Sequence, residues 1–400
     1  MKKIFILVAA LFLAFTGYPQ PCLPDGITFT TQAQIDNFHV TYPGCNQIGG
    51  NVLIQGGNSI TNLSGLNGLI SIGKNLVINE NMALSGLTGL NTLTHIGEGL
   101  IITGNNSLNS LNGLDNLVSI GGSLSISGDL SLTNIMALSK MTTIGGYLII
   151  EYNNLLSNLT GLYNVNTIGG TLEIIDNDML TSLTGLGNLT SIGGSILVWQ
   201  NLSLVSLDGL KGLNTIGGEF SIENNYALSG ILGLANLTSI GGSLSVTDNK
   251  VLANLAGLGN IDEGSISKLY IYNNNNLSEC DVESVCNYLS SSDGYTEIHD
   301  NATGCNSRSE VEVACQSVDI PDNTYDNLFS IFPNPSTGNI TIRSHGAGLI
   351  SIMNLSGQTL VYRQINGPET QIDITGIPRG VYIVQFTNQK VVVIHKLFKI

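Results

Sequence analysis

Residues able to do chemistry are sparse in this 400-residue chain, and their spacing argues against a reaction centre. Acid/base or sugar-cleaving chemistry needs two positioned carboxylates, or one carboxylate with a lysine, an arginine or a metal. The cations of the long middle segment, Lys74, Lys140, Lys211, Lys250 and Lys268, fall at different positions of a repeating unit and do not converge. The histidines are equally dispersed: His95 stands at an outward position, His39 and His299 flank the repeats, and His345 and His395 belong to the last seventy residues. Asp176-Asn177-Asp178 offers carboxylates to a cation but lacks the ligand count and glycine of a calcium loop, so a solvated corner is the simpler reading. Cys22, Cys45, Cys280, Cys286, Cys305 and Cys315 lack the paired spacing with histidine of a zinc site. We therefore expect no catalytic residue, no metal and no cofactor, and no enzyme.

The chain must position something other than a catalytic group, and its beginning says where. Met1-Lys2-Lys3 precedes an apolar run over residues 4–15, a basic start and a core too short to span a bilayer. Residues 1–20 read as a signal peptide cleaved between Thr16 and Gln20. Cys22 invites comparison with a lipidated cysteine, but Tyr18-Pro19-Gln20-Pro21 is not a small-residue box. No later stretch is long and apolar enough to be a transmembrane segment. An even number of cysteines in an exported chain favours disulfides. Two cysteines precede the repeats and four follow them, so we expect Cys22–Cys45 at one end. Three connectivities are open to the last four, of which Cys280–Cys305 with Cys286–Cys315 is our working choice. Residues 21–325 hold 6 Lys/Arg against 26 Asp/Glu, whereas residues 326–400 hold 6 against 3. So acidic a body repels phosphate backbones, and no nucleic-acid partner is expected.

Only 11% of residues are charged and 48 are glycine, which points to a glycine-punctuated β architecture. An Ile-Gly pair recurs every 24 residues at Ile48, Ile72, Ile96, Ile120, Ile144, Ile168, Ile192, Ile216 and Ile240. Counted from that isoleucine, apolar residues return at offsets 4, 6, 12, 15, 18 and 21, as in Leu76, Ile78, Leu84, Leu87, Leu90 and Leu93. Offsets 4 and 6 alternate with polar neighbours, the signature of a half-buried strand. The later spacing of three is broken by glycine at offset 17, so short strands and corners fit better than a helix. One rung cannot bury enough to stand alone; stacking rungs in parallel shares one apolar column and requires caps. Offset 9 carries Asn81, Asn105, Asn153, Asn177, Asn201, Asn225 and Asn249, with Asp129 and Gly57 as exceptions. Such amides can bond backbone groups at a corner, and asparagine tolerates left-handed φ. The glycines after each isoleucine suggest a corner with positive φ. A tenth, irregular rung follows with Leu269, Ile271 and Leu277.

Stretches such as Asn236-Leu-Thr-Ser-Ile-Gly-Gly-Ser-Leu-Ser-Val-Thr-Asp-Asn resemble the receptor L-domain family, the leucine-rich solenoids of insulin and epidermal growth factor receptor ectodomains. The resemblance covers residues 48–277 and implies a right-handed parallel β-solenoid whose faces bind proteins or other ligands, without catalysis. Residues 21–47 are then an N-terminal cap, and residues 278–315, with short helical patterns, a disulfide-stapled C-terminal cap.

Residues 316–327 read as a polar linker, after which the pattern changes. Phe329-Ser-Ile-Phe-Pro-Asn-Pro, Ile350-Ser-Ile-Met and Gly380-Val-Tyr-Ile-Val-Gln-Phe alternate at period two between Gly, Pro and Asn turns, which predicts an antiparallel β-sandwich. Over residues 328–400 the chain resembles the type A sorting domain of the type IX secretion system of Bacteroidetes. Pro333-Asn334-Pro335, Gly380-x-Tyr382 and Lys396-Leu-Phe-Lys399 fall where that family places its motifs. The resemblance implies recognition by the outer-membrane translocon, removal by sortase-like processing machinery, and attachment to the outer face of the outer membrane or release.

A binding face is expected where outward offsets 3, 5 and 7 stop being small. Ser123, Ser125 and Ser127 give way to Tyr147, Ile149 and Glu151, then Glu173 and Ile175, Leu197 and Trp199, and Glu219 and Glu223. Aromatic and branched residues ringed by acids compose a recognition patch for a protein or glycan. Two other readings compete. Ser or Thr at offset 23 in seven of eight rungs, Ser71, Ser119, Thr143, Thr167, Ser191, Thr215 and Ser239, could be an ice-binding face, and the whole array could be a structural coat without a specific ligand.

Overall fold

A computed structural model describes residues 21–291, 294–317, 329–344, 346–354, 357–388 and 392–400. The expected signal peptide, most of the expected linker and His345 lie outside the described residues. The chain divides into two compact units, residues 1–316 and 317–400.

In the first unit every 24-residue rung contributes two strands. The Ile-Gly isoleucine ends a two-residue strand such as Thr167–Ile168, and offsets 4–7 form a longer one such as Leu172–Ile175. The short strands stack into a nine-stranded sheet and the long ones into a twelve-stranded sheet, each in sequence order. All pairing between rungs is parallel and in register, so Leu148, Leu172, Ile196, Phe220 and Leu244 line one column. Inward residues at offsets 4 and 6 are fully buried, as are Leu156, Leu159, Leu162 and Val165 at the later offsets of their rung. A 3-10 turn such as Thr160–Leu162 or Asp208–Leu210 closes several rungs. The fold is therefore an all-β parallel solenoid with one continuous leucine and isoleucine core.

The glycine after each isoleucine has a cause other than the expected one. These residues do not have positive φ; instead, a Cβ placed on Gly193 would penetrate the carbonyl oxygen of Gly169 in the rung before. Close approach of successive backbones, not corner geometry, demands glycine there. At offset 17, Gly161 is barred from a side chain in the same way by the carbonyl of Ile135.

Both ends of the apolar column are covered. The strand Ile27–Phe29 starts the twelve-stranded sheet, and the helix Gln32–Asp36, capped by Thr31 and Gln34, buries Ile35 over the first rung. Cys22 is bonded to Cys45. At the other end Cys280 pairs with Cys305 and Cys286 with Cys315, bracketing the helices Glu283–Ser291 and Arg308–Ser317. That cap holds more than the expected short helices: its strand Tyr295–His299 pairs in parallel with Lys268–Tyr272 and becomes the last strand of the sheet.

The second unit is a β-sandwich of antiparallel sheets. One has three strands, Phe329–Phe332, Asn339–Ser344 and Glu369–Asp373, and the other has four, Gly348–Met353, Thr359–Ile365, Gly380–Thr387 and Val392–Lys399. Inward-facing Ile340, Ile342, Ile350, Ile352, Val384 and Leu397 are fully buried between them.

Candidate functional site

The offset-9 ladder is the first polar feature to be assigned, because it is buried. Asn177 Nδ2 donates to the carbonyls of Ile150 in the previous rung (2.9 Å) and Ile175 in its own (2.9 Å), while its Oδ1 accepts from the backbone of Asn153 (3.2 Å). The same geometry repeats along the stack, and Asn274 and Asn301 extend it into the cap. Left-handed φ, which we expected at these asparagines, belongs to the residue before each, at Glu80, Tyr152, Asp176, Gln200, Asn224 and Asp248. The chain turns at offset 8 so that the amide at offset 9 points inward. The ladder is thus a fastening of the corner, inaccessible to a ligand.

Asp129 breaks the pattern. Its Oδ1 accepts from Asn105, but Oδ2 occupies the place where other rungs carry the donating amide nitrogen, and it has no hydrogen-bond partner. Burial pushes the Asp129 carboxyl up to about 6, against the downward pull of the Asn105 hydrogen bonds. The group is structural: it sits in the buried ladder between Asn105 and Asn153.

The remaining polar and aromatic residues sort by face. On the outer side of the twelve-stranded sheet, register places Ile149, Glu173 and Leu197 in one column and Glu151, Ile175, Trp199 and Glu223 in the next. Neighbours within a column are about 4.8 Å apart. Tyr147 is 52% exposed and lays its ring over Gly170 of the following rung. Ile149, Glu151, Glu173, Leu197, Trp199 and Glu223 are half-buried, with their outer surfaces open. Ile175 differs from expectation: it is only 9% exposed, because Glu151 and Trp199 flank it in the same column and cover it. It supports the face and cannot supply much contact area.

Sequence reading missed the continuation of this face. Lys268-Leu-Tyr-Ile-Tyr is shifted by one residue from the 24-residue period, yet it pairs with Leu244–Thr247 and turns Tyr270 and Tyr272 outward. Tyr295, Glu297 and His299 follow from the cap strand. Tyr272 stacks on His299 (4.9 Å between centroids, 5° between planes), Tyr270 lies 5.7 Å from Tyr295, and Tyr295 donates to Glu297. The alternation of aromatic and apolar residues in 268–272 was the available signal. At the adjoining corner Lys250 sits over the Tyr226 ring, 4.2 Å from its centroid.

Acidic side chains outnumber cations on this face, where Lys268 is the exposed cation of the Lys268–Tyr272 strand. Asp176 is raised above its ordinary value by burial and then by the carboxylates of Asp178 and Glu151. The Tyr272 hydroxyl is raised likewise by burial, then by Glu223, Glu297 and Asp248. Among the described residues no group of three or more His, Cys, Asp and Glu side chains could hold a metal ion.

A shallow groove of about 550 Å³ runs over the opposite, nine-stranded sheet, lined by Thr167, Ser191, Thr215, Gly169, Gly193 and Gly217 among others. We do not favour it as the site. Its floor is glycine backbone whose amides are spent between rungs, as in Gly193 N–H to Ile168 and Gly194 N–H to Gly170, both 2.9 Å. It offers hydroxyls but neither aromatic surface nor charge.

In the second unit the residues of the three tail motifs meet at one end of the sandwich. Asn334 donates to the carbonyl of Lys396 (2.6 Å) and accepts from the amide of Phe398 (2.8 Å), tying the Pro333-Asn334-Pro335 turn to the last strand. Gly380 and Tyr382 pair in register with Lys399 and Leu397. Tyr382 donates to the carbonyl of Pro378 (2.7 Å), and the largely buried Lys399 ammonium donates to that of Thr337 (2.6 Å). Lys396 remains exposed.

Residues 330–399 match the family described as the secretion system C-terminal sorting domain. No curated protein matches the chain. The tail is that of the type IX secretion system and implies handling by its machinery; the protein is secreted, and proteins carrying this domain are often attached to the cell surface. Among the described residues no helix is long and apolar enough to cross a membrane.

Proposed function

We propose that the secreted chain is a non-enzymatic recognition or adhesion protein that engages a protein or glycan through the outer face of its twelve-stranded sheet. One observation carries the reading: Tyr147, Trp199, Tyr270, Tyr272 and Tyr295, with the surrounding carboxylates, occupy one face of a scaffold whose interior is uniform. Aromatic anchors in an otherwise polar surface are the residues that dominate binding energies. The receptor L-domain resemblance supports the same face, since members of that family engage ligands through such sheets. After translocation the sorting domain is cleaved and the solenoid is anchored to the surface or released.

A glycan and protein array probed with the secreted protein tests this. We expect a specific hit whose affinity falls at least tenfold in Trp199→Ala/Tyr147→Ala while the thermal midpoint is nearly unchanged. A hit sensitive only to changes on the nine-stranded sheet overturns the placement. The second reading, a surface coat without a ligand, draws on the small, neutral outward residues Ser123, Ser125 and Ser127 of the rung before the patch; an array without hits would favour it.

A further inference from the structure

We infer that the ligand of this face is a protein segment presenting lysine or arginine side chains along the solenoid axis. The inference rests on the recognition reading above and adds the chemistry of the partner. Glu151, Glu173, Glu219 and Glu223 on the sheet, with Asp176 and Asp248 at its adjoining corner, occupy four of five consecutive rungs. Among the described residues none of them is in an ion pair; those of this unit are Lys211–Asp208, His299–Asp300 and Arg308–Glu312. Glu151 and Glu223 accept, among the described residues, only from the serine hydroxyls of Ser127 and Ser221; burial first, and then neighbouring carboxylates, raise Asp176 and the Tyr272 hydroxyl. A cationic partner relieves that repulsion on docking and is steered to it from a distance.

The rings fit the same partner. The π-faces of Trp199, Tyr270 and Tyr272 attract ammonium and guanidinium groups. The chain contains its own example one corner away, where Lys250 lies over Tyr226. A neutral glycan would stack on the rings and donate hydroxyls to the carboxylates, but it brings no counter-charge to the acidic face. An anionic glycan would be repelled outright.

The test titrates the secreted protein with a fluorescein-labelled 12-residue Lys-Ser repeat peptide, its Glu-Ser counterpart and cellohexaose, at low and at moderate salt. We expect only the lysine peptide to bind, with affinity falling as salt screens the face. Glu151→Gln/Glu173→Gln/Glu223→Gln should weaken it at least tenfold. Glu263→Gln/Glu279→Gln/Glu283→Gln, an equal charge change outside the twelve-stranded sheet, should change it less than twofold. Equal losses in the two triple variants would show attraction to net charge alone and overturn the inference. Cellohexaose binding lost in Trp199→Ala would overturn the charge class while leaving the recognition face standing. Indifference of every probe to Trp199→Ala would sink both.

Discussion

The two sheets of the solenoid are built from the same rungs, yet their outer surfaces differ in how much side chain they present. The strands of the nine-stranded sheet are two residues long and end at the bends of Gly169, Gly193 and Gly217, where successive backbones approach so closely that no side chain fits. Their outward position holds Ser or Thr except at Gln47 and His95. On the twelve-stranded sheet offsets 3, 5 and 7 project clear of the stack, and they change from serine in the rung of Ser123 to tyrosine, glutamate and tryptophan in the rungs after it. Two-residue strands leave one outward position per rung on the first sheet against offsets 3, 5 and 7 on the second, so the second offers more room for recognition chemistry. Stability should therefore be lost through the core, the ladder and the glycine face, and function through the aromatic face.

Several variants can break that division. The largest effect is expected in the shared core: Leu172→Ala leaves a cavity in a fully buried column and should cost about 2–5 kcal/mol in chemical denaturation. Next is the glycine bend. Gly193→Ala drives a Cβ into the Gly169 carbonyl and should cost roughly 1–3 kcal/mol, although no ligand is proposed there. A neutral Gly193→Ala would mean that the bend can carry a side chain, and the steric account of it would fail.

Asn177→Ala orphans the buried carbonyls of Ile150 and Ile175 and should cost about 1–3 kcal/mol. Asp129 sharpens the point through pH. Its folded-state value of about 6 lies above the ordinary 3.8, so the neutral acid is the form the fold prefers. The stability it contributes is fully present below about pH 4 and is lost as pH rises through about 6. Asp129→Asn restores the amide and should raise stability by roughly 2–3 kcal/mol at pH 7.5, while changing little at pH 4. Urea denaturation at the two pH values decides it; a gain of the same size at both would show that ionisation is not the cause. The smallest effect on stability belongs to the aromatic face, where Trp199→Ala/Tyr147→Ala should shift the thermal midpoint hardly at all. A large shift there would make these residues part of the scaffold and erase the comparison.

Much of this architecture is written plainly in the chain. The 24-residue return of Ile-Gly and the inward offsets are legible because every rung must present an apolar side chain to the same column, so the packing constraint repeats with the fold. The alternation along Leu172-Glu173-Ile174 separates inside from outside for the same reason. The tail motifs are legible as sequence, but their convergence through Asn334 on the last strand joins groups more than sixty residues apart.

Where the sequence by itself falls short, the deciding atoms lie in another rung. Alternation makes Ile175 an outward residue, but whether it is open depends on Glu151 and Trp199, each 24 residues away. A glycine in the chain is compatible with positive φ or with close approach, and only the position of the Gly169 carbonyl selects the second for Gly193. Tyr270, Tyr272 and Tyr295 join the face because pairing of Lys268–Tyr272 absorbs a shift of one residue and the cap supplies a further strand. Periodicity is a property of the chain and survives translation into three dimensions unchanged. Coverage, close approach and register across a break are properties of pairs of distant segments, and only their stacking decides them.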